Sequence, residues 1–263
     1  MTRTGLCEFA ILCCSVAVLA GCGSSRLSHY PEFPEHKKTM TGLTIMTDFI
    51  LIDGILGDTD KVDLTENKEV AANVLQLCED SLKIKGYQIQ KTVLSSIGLL
   101  MSPSAVYRVA TTVADHEASV EDLPLGSPPF YIDENVNDTT RRRLSHIYNS
   151  LINSPEKAEG TTTIVPEAAR LGDIGGKSKT LMVLLAGGVN VPVSKAIGER
   201  FANPNPGEGV VAVQRISQFS VMLFILDMNT GEVIWDDRKH VQGGLIFQEK
   251  IYSMLGDLLE ELP

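Results

Sequence analysis

The chain has 263 residues, 43% of them hydrophobic, and its 33 acidic against 23 basic side chains give a net charge of −10. That length and composition suit one globular domain with a sizeable core and exclude a disordered chain. An acidic balance of this size argues against nucleic acid as a partner and against electrostatic attraction to an anionic membrane.

The N-terminus reads MTRTGLCEFAILCCSVAVLAGCGSS. Arg3 precedes an apolar run, Phe9 to Ala20, that is too short to span a bilayer comfortably. A charged start, a short apolar run and a small-residue end describe a secretory signal peptide. The run ends in Leu19-Ala20-Gly21-Cys22, which resembles the lipobox of bacterial lipoproteins. The resemblance implies that residues 1–21 are removed and that Cys22 carries the lipid. Gly23 and Ser24 follow it instead of aspartate, which by the same resemblance implies the outer membrane, facing the periplasm. The membrane is then a partner through the lipid alone, and several acyl chains hold far better than one. Cys7, Cys13 and Cys14 leave with the signal peptide, so Cys78 is the one thiol left, and no intramolecular disulfide is expected.

Residues 22–42 are rich in Pro, Ser and charge, without an apolar period, and are expected to form a lipidated flexible tether. Fully stretched it reaches about 65–70 Å, and its typical span is about 25 Å. His29 and His36 lie in it, where nothing rigid holds them as metal ligands.

The folded domain is expected over 43–263. LTIMTDFILID (43–53) reads as a strand buried on both faces. Asp63 and Glu66 have capping-box spacing and open a helix to about Lys85, with Ala71, Val74, Leu75, Cys78 and Leu82 as its stripe and Gly86 as its stop. GYQIQKTVL is the second strand, completing β–α–β. Residues 93–165 break this rhythm and read as an insertion. It holds a proline-rich loop and one helix, DTTRRRLSHIYNSLINS, capped by Asp138 and buried through Leu144, Ile147, Tyr148 and Leu151. A short helix after Pro166, a buried strand in KTLMVLLAGGVNV and a helix in VSKAIGERFAN follow. A long strand region, VVAVQRISQFSVMLFILD, then turns at Asn229-Thr230-Gly231 into EVIWDD. GLIFQEKIYSMLGDLLEEL closes the chain as an amphipathic helix. The fold class is thus α/β, α+β in its mixed sheet, in two or three layers.

GDIGGKS (172–178) has the look of a phosphate loop, but only three residues separate Gly172 from Gly176, where that loop needs four. It also follows a helix and leads into a strand, the reverse of the order that points helix N–H groups at phosphate. A helix-to-strand turn is expected, with no nucleotide and no cofactor. His116, His146 and His240 are scattered, and no Cys/His group has metal spacing. Asp236 and Asp237 could suggest an acid pair, but Asp237 and Arg238 are read as solvating the strand end. Arg141, Arg142 and Arg143 are the one basic run, a candidate contact for an acidic partner.

The order of elements and the hairpin FILDMNTGEVIWDD resemble a superfamily of periplasmic α/β domains. It includes the N-terminal domain of TolB, the curli-secretion lipoprotein and lipoproteins that activate penicillin-binding proteins. Asp227, Thr230, Gly231, Glu232, Val233, Ile234 and Trp235 match its D-x-x-T-G-E-[VI]-[VIL]-W pattern. The likeness covers roughly 43–92 and 166–262 and carries no catalytic residues. It implies a non-enzymatic envelope lipoprotein that binds a protein partner and assists assembly or regulation of an envelope complex, with 93–165 as the contact surface. The alternatives are a homo-oligomeric secretion ring, opposed by prolines where pore-forming hairpins would lie, and a periplasmic hydrolase whose residues converge only in space.

Overall fold

The computed structural model describes residues 30–55, 59–154, 163–171, 178–191 and 216–263. Nine strands and five α-helices occur among them. In chain order they are α1 (Phe33–Thr39), β1 (Leu43–Asp53), β2 (Lys61–Asp63), α2 (Leu64–Ile84), β3 (Ile89–Ile97), β4 (Tyr107–Ala110), α3 (Val113–His116), β5 (Leu125–Gly126), β6 (Tyr131–Ile132), α4 (Asp138–Asn153), β7 (Thr180–Asn190), β8 (Gln218–Asp227), β9 (Val233–Gln242) and α5 (Gln248–Glu261). The α/β class and mixed sheet are as expected.

β1 lies at the centre, parallel to β3 on one side and to β7 on the other. β8 and β9 continue antiparallel beyond β7. Because β3 and β7 flank β1 on opposite sides, crossovers of one hand carry α2 and α4 to opposite faces. Two cores result. One gathers Ile45, Phe49, Met182, Leu223 and Trp235 beneath α2 and α5, and the other gathers Met46, Val183 and Phe224 beneath α4.

The sequence signals for α2 hold in detail. Asp63 accepts from the Glu66 N–H at 3.1 Å, Gly86 takes φ +86°, and the expected stripe is buried. Asn67 was not singled out, yet it solves a problem that the topology creates. On one side of β1, pairing with β3 ends at Phe49 and pairing with β2 is confined to Asp53. Leu51 falls in the gap, and Asn67 fills it, accepting from Leu51 N at 2.7 Å and donating to Leu51 O at 2.9 Å. Its amide replaces a missing strand, as the backbone's hydrogen-bond accounting requires.

Three expectations are corrected. The second half of the tether is folded: Tyr30 and Phe33 are buried, with ring centroids 5.3 and 4.9 Å from Trp235, and α1 follows. Two aromatics three residues apart are enough to seat a segment whose composition is otherwise polar. Within residues 93–165, β4, β5 and β6 extend the sheet and α4 closes its second core. The α4 stripe is the expected one, but Asn137 caps it, accepting from Thr140 N at 3.0 Å. After Pro166 there is a 3₁₀ turn, Ala168–Arg170, in place of an α-helix. The helix expected in VSKAIGERFAN and the start of the long strand region lie outside the described residues.

Candidate functional site

The hairpin motif explains itself atom by atom. The Asp227 carboxylate accepts from Asn229 N at 2.7 Å and from its side-chain amide at 2.8 Å, closing the turn. Thr230 Oγ1 accepts from Glu232 N at 3.2 Å. Gly231 takes φ +75°, and a Cβ there would stand 2.4 Å from the Val165 carbonyl oxygen, because Val165 N donates to Gly231 O at 2.7 Å. Beyond the turn, a register shift between Ile225 and Leu226 brings Ile234 and Trp235 into the same core. The motif's hydrogen bonds and packing therefore account for the turn, the strand edge and the seat of the N-terminal arm.

That seat continues as a polar chain across β9. Asp236 and Asp237 are buried, 3% and 5% exposed, which corrects the solvated strand end. Tyr30 Oη donates to Asp236, whose other oxygen lies 3.4 Å from the Arg238 guanidinium. Arg238 sits over the Phe224 ring and donates to Leu151 O at 3.3 Å and Ser154 O at 3.0 Å. Cations suit a helix C-terminus, where carbonyls lack intrahelical partners. The arm, the edge strand and the end of α4 are thus joined through one carboxylate and one guanidinium. At the foot of the arm, Lys37 donates to Lys85 O at 3.1 Å and Pro263 O at 2.8 Å. Burial, then the Lys85 charge, holds its ammonium below the usual lysine range.

A second polar group is buried in the α4 core. Asp48 accepts from Leu99 N at 3.1 Å and Leu100 N at 3.4 Å, in the turn after β3. Burial pushes its carboxyl above the ordinary range, against the opposing effect of those N–H groups and the Ser96 hydroxyl. Ser95 Oγ donates to Thr47 O at 2.6 Å and lies 2.7 Å from Tyr148 Oη on α4. This cluster fastens the β3–β4 turn to the central strand.

The described histidines do not converge. His116 Nε2 lies 2.8 Å from Asp63 Oδ1, whose other oxygen is 3.3 Å from Lys61. His240 Nδ1 meets Ser220 Oγ at 2.8 Å, as directly opposed residues of β9 and β8. A Ser–His contact is the first link of a nucleophile relay, but here it is an ordinary cross-strand pair near the end of the sheet. His146 is exposed on α4. His36 on α1 lines an open cleft of about 240 Å³ with Thr39, Lys179 and Asp227. Among the described residues no group of three His, Cys, Asp or Glu is placed to hold a metal, and no helix is long and apolar enough to cross a membrane.

Of the phosphate-loop stretch, 172–177 lies outside the described residues. Ser178 is buried, and its hydroxyl lies 2.8 Å from Gly42 O and 2.7 Å from Thr180 O, which share its one proton, so it ties the foot of β7 to the foot of β1. Cys22 also lies outside the described residues. Arg141 pairs with Asp138 at 3.1 Å, and Arg143 donates to the Arg170 carbonyl. Arg142 is exposed. The basic run therefore spends two of its three charges within the domain.

The acidic charge is concentrated instead. Residues 111–138 hold Asp115, Glu117, Glu121, Asp122, Asp133, Glu134 and Asp138, with no Lys or Arg, so seven of the net ten negative charges fall here. Of these, Asp115, Glu117, Glu121 and Asp122 border β4 and β5, which join β1 at Asp53 through β2, at the carboxyl end of the parallel strands, whereas Asp133 and Glu134 follow β6 beside β3 and Asp138 opens α4. Ligand sites in open α/β sheets favour that end. No known protein family matches the chain, and no curated protein resembles it at a significant level.

Proposed function

We propose that this chain is a non-enzymatic lipoprotein of the outer membrane that binds a protein partner and assists assembly or regulation of an envelope complex. The observation that carries the reading is LAGC at residues 19–22, taken with the seated arm at Tyr30. Between the expected lipid at Cys22 and the buried Tyr30 lie eight peptide units, which at full stretch span at most about 26–29 Å. The tether is less than half as long as composition suggests, so the domain works close to its membrane, as a scaffold held in place. Rigid sheet elements presenting peripheral strands and loops suit recognition.

Two measurements test this. Labelling cells with an alkyne fatty acid should mark the wild type and leave Cys22→Ser unmarked; equal labelling removes the anchor from the reading. Photo-crosslinking in cells, followed by mass spectrometry, should join the domain to another envelope protein. Turnover of a cell-wall or lipid substrate by the purified protein, with no crosslinked partner, would replace the reading with a hydrolase. A large closed assembly of the soluble domain by light scattering would replace it with a secretion ring.

A further inference from the structure

The border formed by β4, β5 and α3 combines exposed apolar side chains with exposed acidic ones. Val106, Val113 and Leu125 are 49%, 70% and 60% exposed. Leu125 pairs with Arg108 on β4, so it shares a face with Val106, two residues away from Arg108. Apolar side chains at a sheet edge are a liability, which proteins usually blunt with lysine or other charges. Here no lysine or arginine occurs from 111 to 138. The nearest cations on this face are tied within the domain: Arg108 donates to Glu121 O at 3.2 Å and Leu123 O at 3.1 Å, and Lys61, opposite it on β2, lies 3.3 Å from Asp63. The exposed charged side chains of residues 111–126 include Glu117, Glu121 and Asp122. Hydrogen bonds from Thr111 and Thr112 hold Asp115 below the usual carboxylate range, and the Ser119 hydroxyl does the same for Glu121.

Exposed apolar side chains bordered by exposed carboxylates offer a partner both apolar contact and charge complementarity. Resting on the partner-binding reading above, we infer that this border docks an extended cationic segment of another protein. Its apolar side chains would cover Val106, Leu125 and Val113, and its Lys or Arg side chains, alternating with them, would meet Glu117, Glu121 and Asp122. The position fits an anchored scaffold. In the sheet order β5-β4-β2-β1-β7-β8-β9, the border lies at one end and the strand seating the arm at the other. Six strand spacings separate them, roughly 29 Å. A lipid attached through the arm leaves the acidic border on the far side. The partner is therefore basic where the Arg141–Arg143 run had suggested an acidic one.

The test uses the full chain in detergent and a fluorescein-labelled peptide of alternating lysine and leucine, read by anisotropy at about 50 mM salt. Leu125→Ser and the double variant Glu121→Gln/Asp122→Gln should each weaken binding about tenfold or more. A lysine–serine peptide should bind about tenfold less well, and a glutamate–leucine peptide should not bind. Unchanged affinity in both variants, or equal binding of the lysine–serine peptide, overturns the proposal. These are exposed positions, and an unaltered Trp235 emission confirms that the variants fold. In cells, a photo-crosslinker at position 125 should capture a partner through a Lys- or Arg-rich segment. Capture of a second copy alone overturns the proposal in favour of self-assembly. Capture from position 142 but not from 125 overturns it and leaves the proposed function standing. No envelope partner from any position overturns both.

Discussion

The α2/α5 face packs Ile45, Phe49, Met182, Leu223 and Trp235 beneath two helices, whereas the α4 face buries Asp48, Ser96 and Tyr148 beneath one. The difference follows from what each face must hold. Two helices cover the first face with apolar area, which is non-directional, and the N-terminal arm adds Tyr30 and Phe33 to it. A single helix leaves the second face short of area, and hydrogen bonds take a larger share: Asp48 to the β3–β4 turn, Tyr148 to Ser95, and Arg238 to the end of α4. The first face should fail by losing volume, and the second by losing partners or by changing pH.

The largest expected effect tests how closed the first face is. Cys78 is buried against Met182, and burial pushes its thiol up to about 12. Thiolate is the reactive species, so alkylation of Cys78 at about pH 8 should be at least about a thousandfold slower in the native protein than in denaturant. Mass spectrometry of the Cys78 peptide measures it. Comparable rates would mean that α2 opens readily and that the face is not sealed.

Removing volume comes next. Phe33→Ala should cost about 3–5 kcal/mol if the arm is part of this core, and should shift Trp235 emission to the red as its cover is lost. A cost below about 1 kcal/mol, typical of surface positions, would return residues 30–39 to the tether. On the opposite face, Arg238→Ala should cost about 2–3 kcal/mol, because it leaves Asp236 and the last carbonyls of α4 with fewer donors. Arg238→Lys should recover only part of this, since an ammonium lacks the planar fork. Chemical denaturation measures all three variants.

Asp48 separates the faces by pH. Its folded-state carboxyl titrates above the unfolded value, so the native state binds the extra proton and stability falls as pH rises through that window. Asp48→Asn removes the titration. The wild type's advantage over it should be greatest near pH 4 and should shrink towards neutrality. A constant gap across that range would show that the turn's N–H groups fully offset the burial of the charge.

Much of the fold is legible in residues that act locally. Asp63, Gly86 and the Asn229–Gly231 turn need only their neighbours in sequence, and the stripe of α4 needs only its period. What the sequence hides are residues whose partners are set by topology. Asn67 looks like any polar residue in a first turn until a gap beside Leu51 requires its amide. Asp236 reads as a strand end until Tyr30 and Arg238 arrive from 206 residues before it and from the same strand. The acid-rich stretch 111–126 was not singled out from the sequence, and its exposed Leu125 becomes meaningful only because β5 ends the main strand order.

The smallest expected effect sharpens the boundary between the α4 core and its outer surface. Leu144, Ile147, Tyr148 and Leu151 are fully buried on one side of α4, while Arg142 stands on the other. Arg141 pairs with Asp138 one turn away, an exposed i,i+3 contact of a kind that contributes at most about 0.5 kcal/mol. Arg142→Ala and Arg141→Ala should therefore each leave the unfolding midpoint within about 0.5 kcal/mol of the wild type. They should also leave binding of the lysine–leucine peptide unchanged or slightly tighter, because each removes a positive charge that repels the peptide. Arg143→Ala should cost more than either, since it deprives the Arg170 carbonyl of a donor and loosens the 3₁₀ turn that α4 packs against. If Arg142→Ala instead weakens binding of that peptide, the basic run belongs to the contact surface and the acidic border does not act alone.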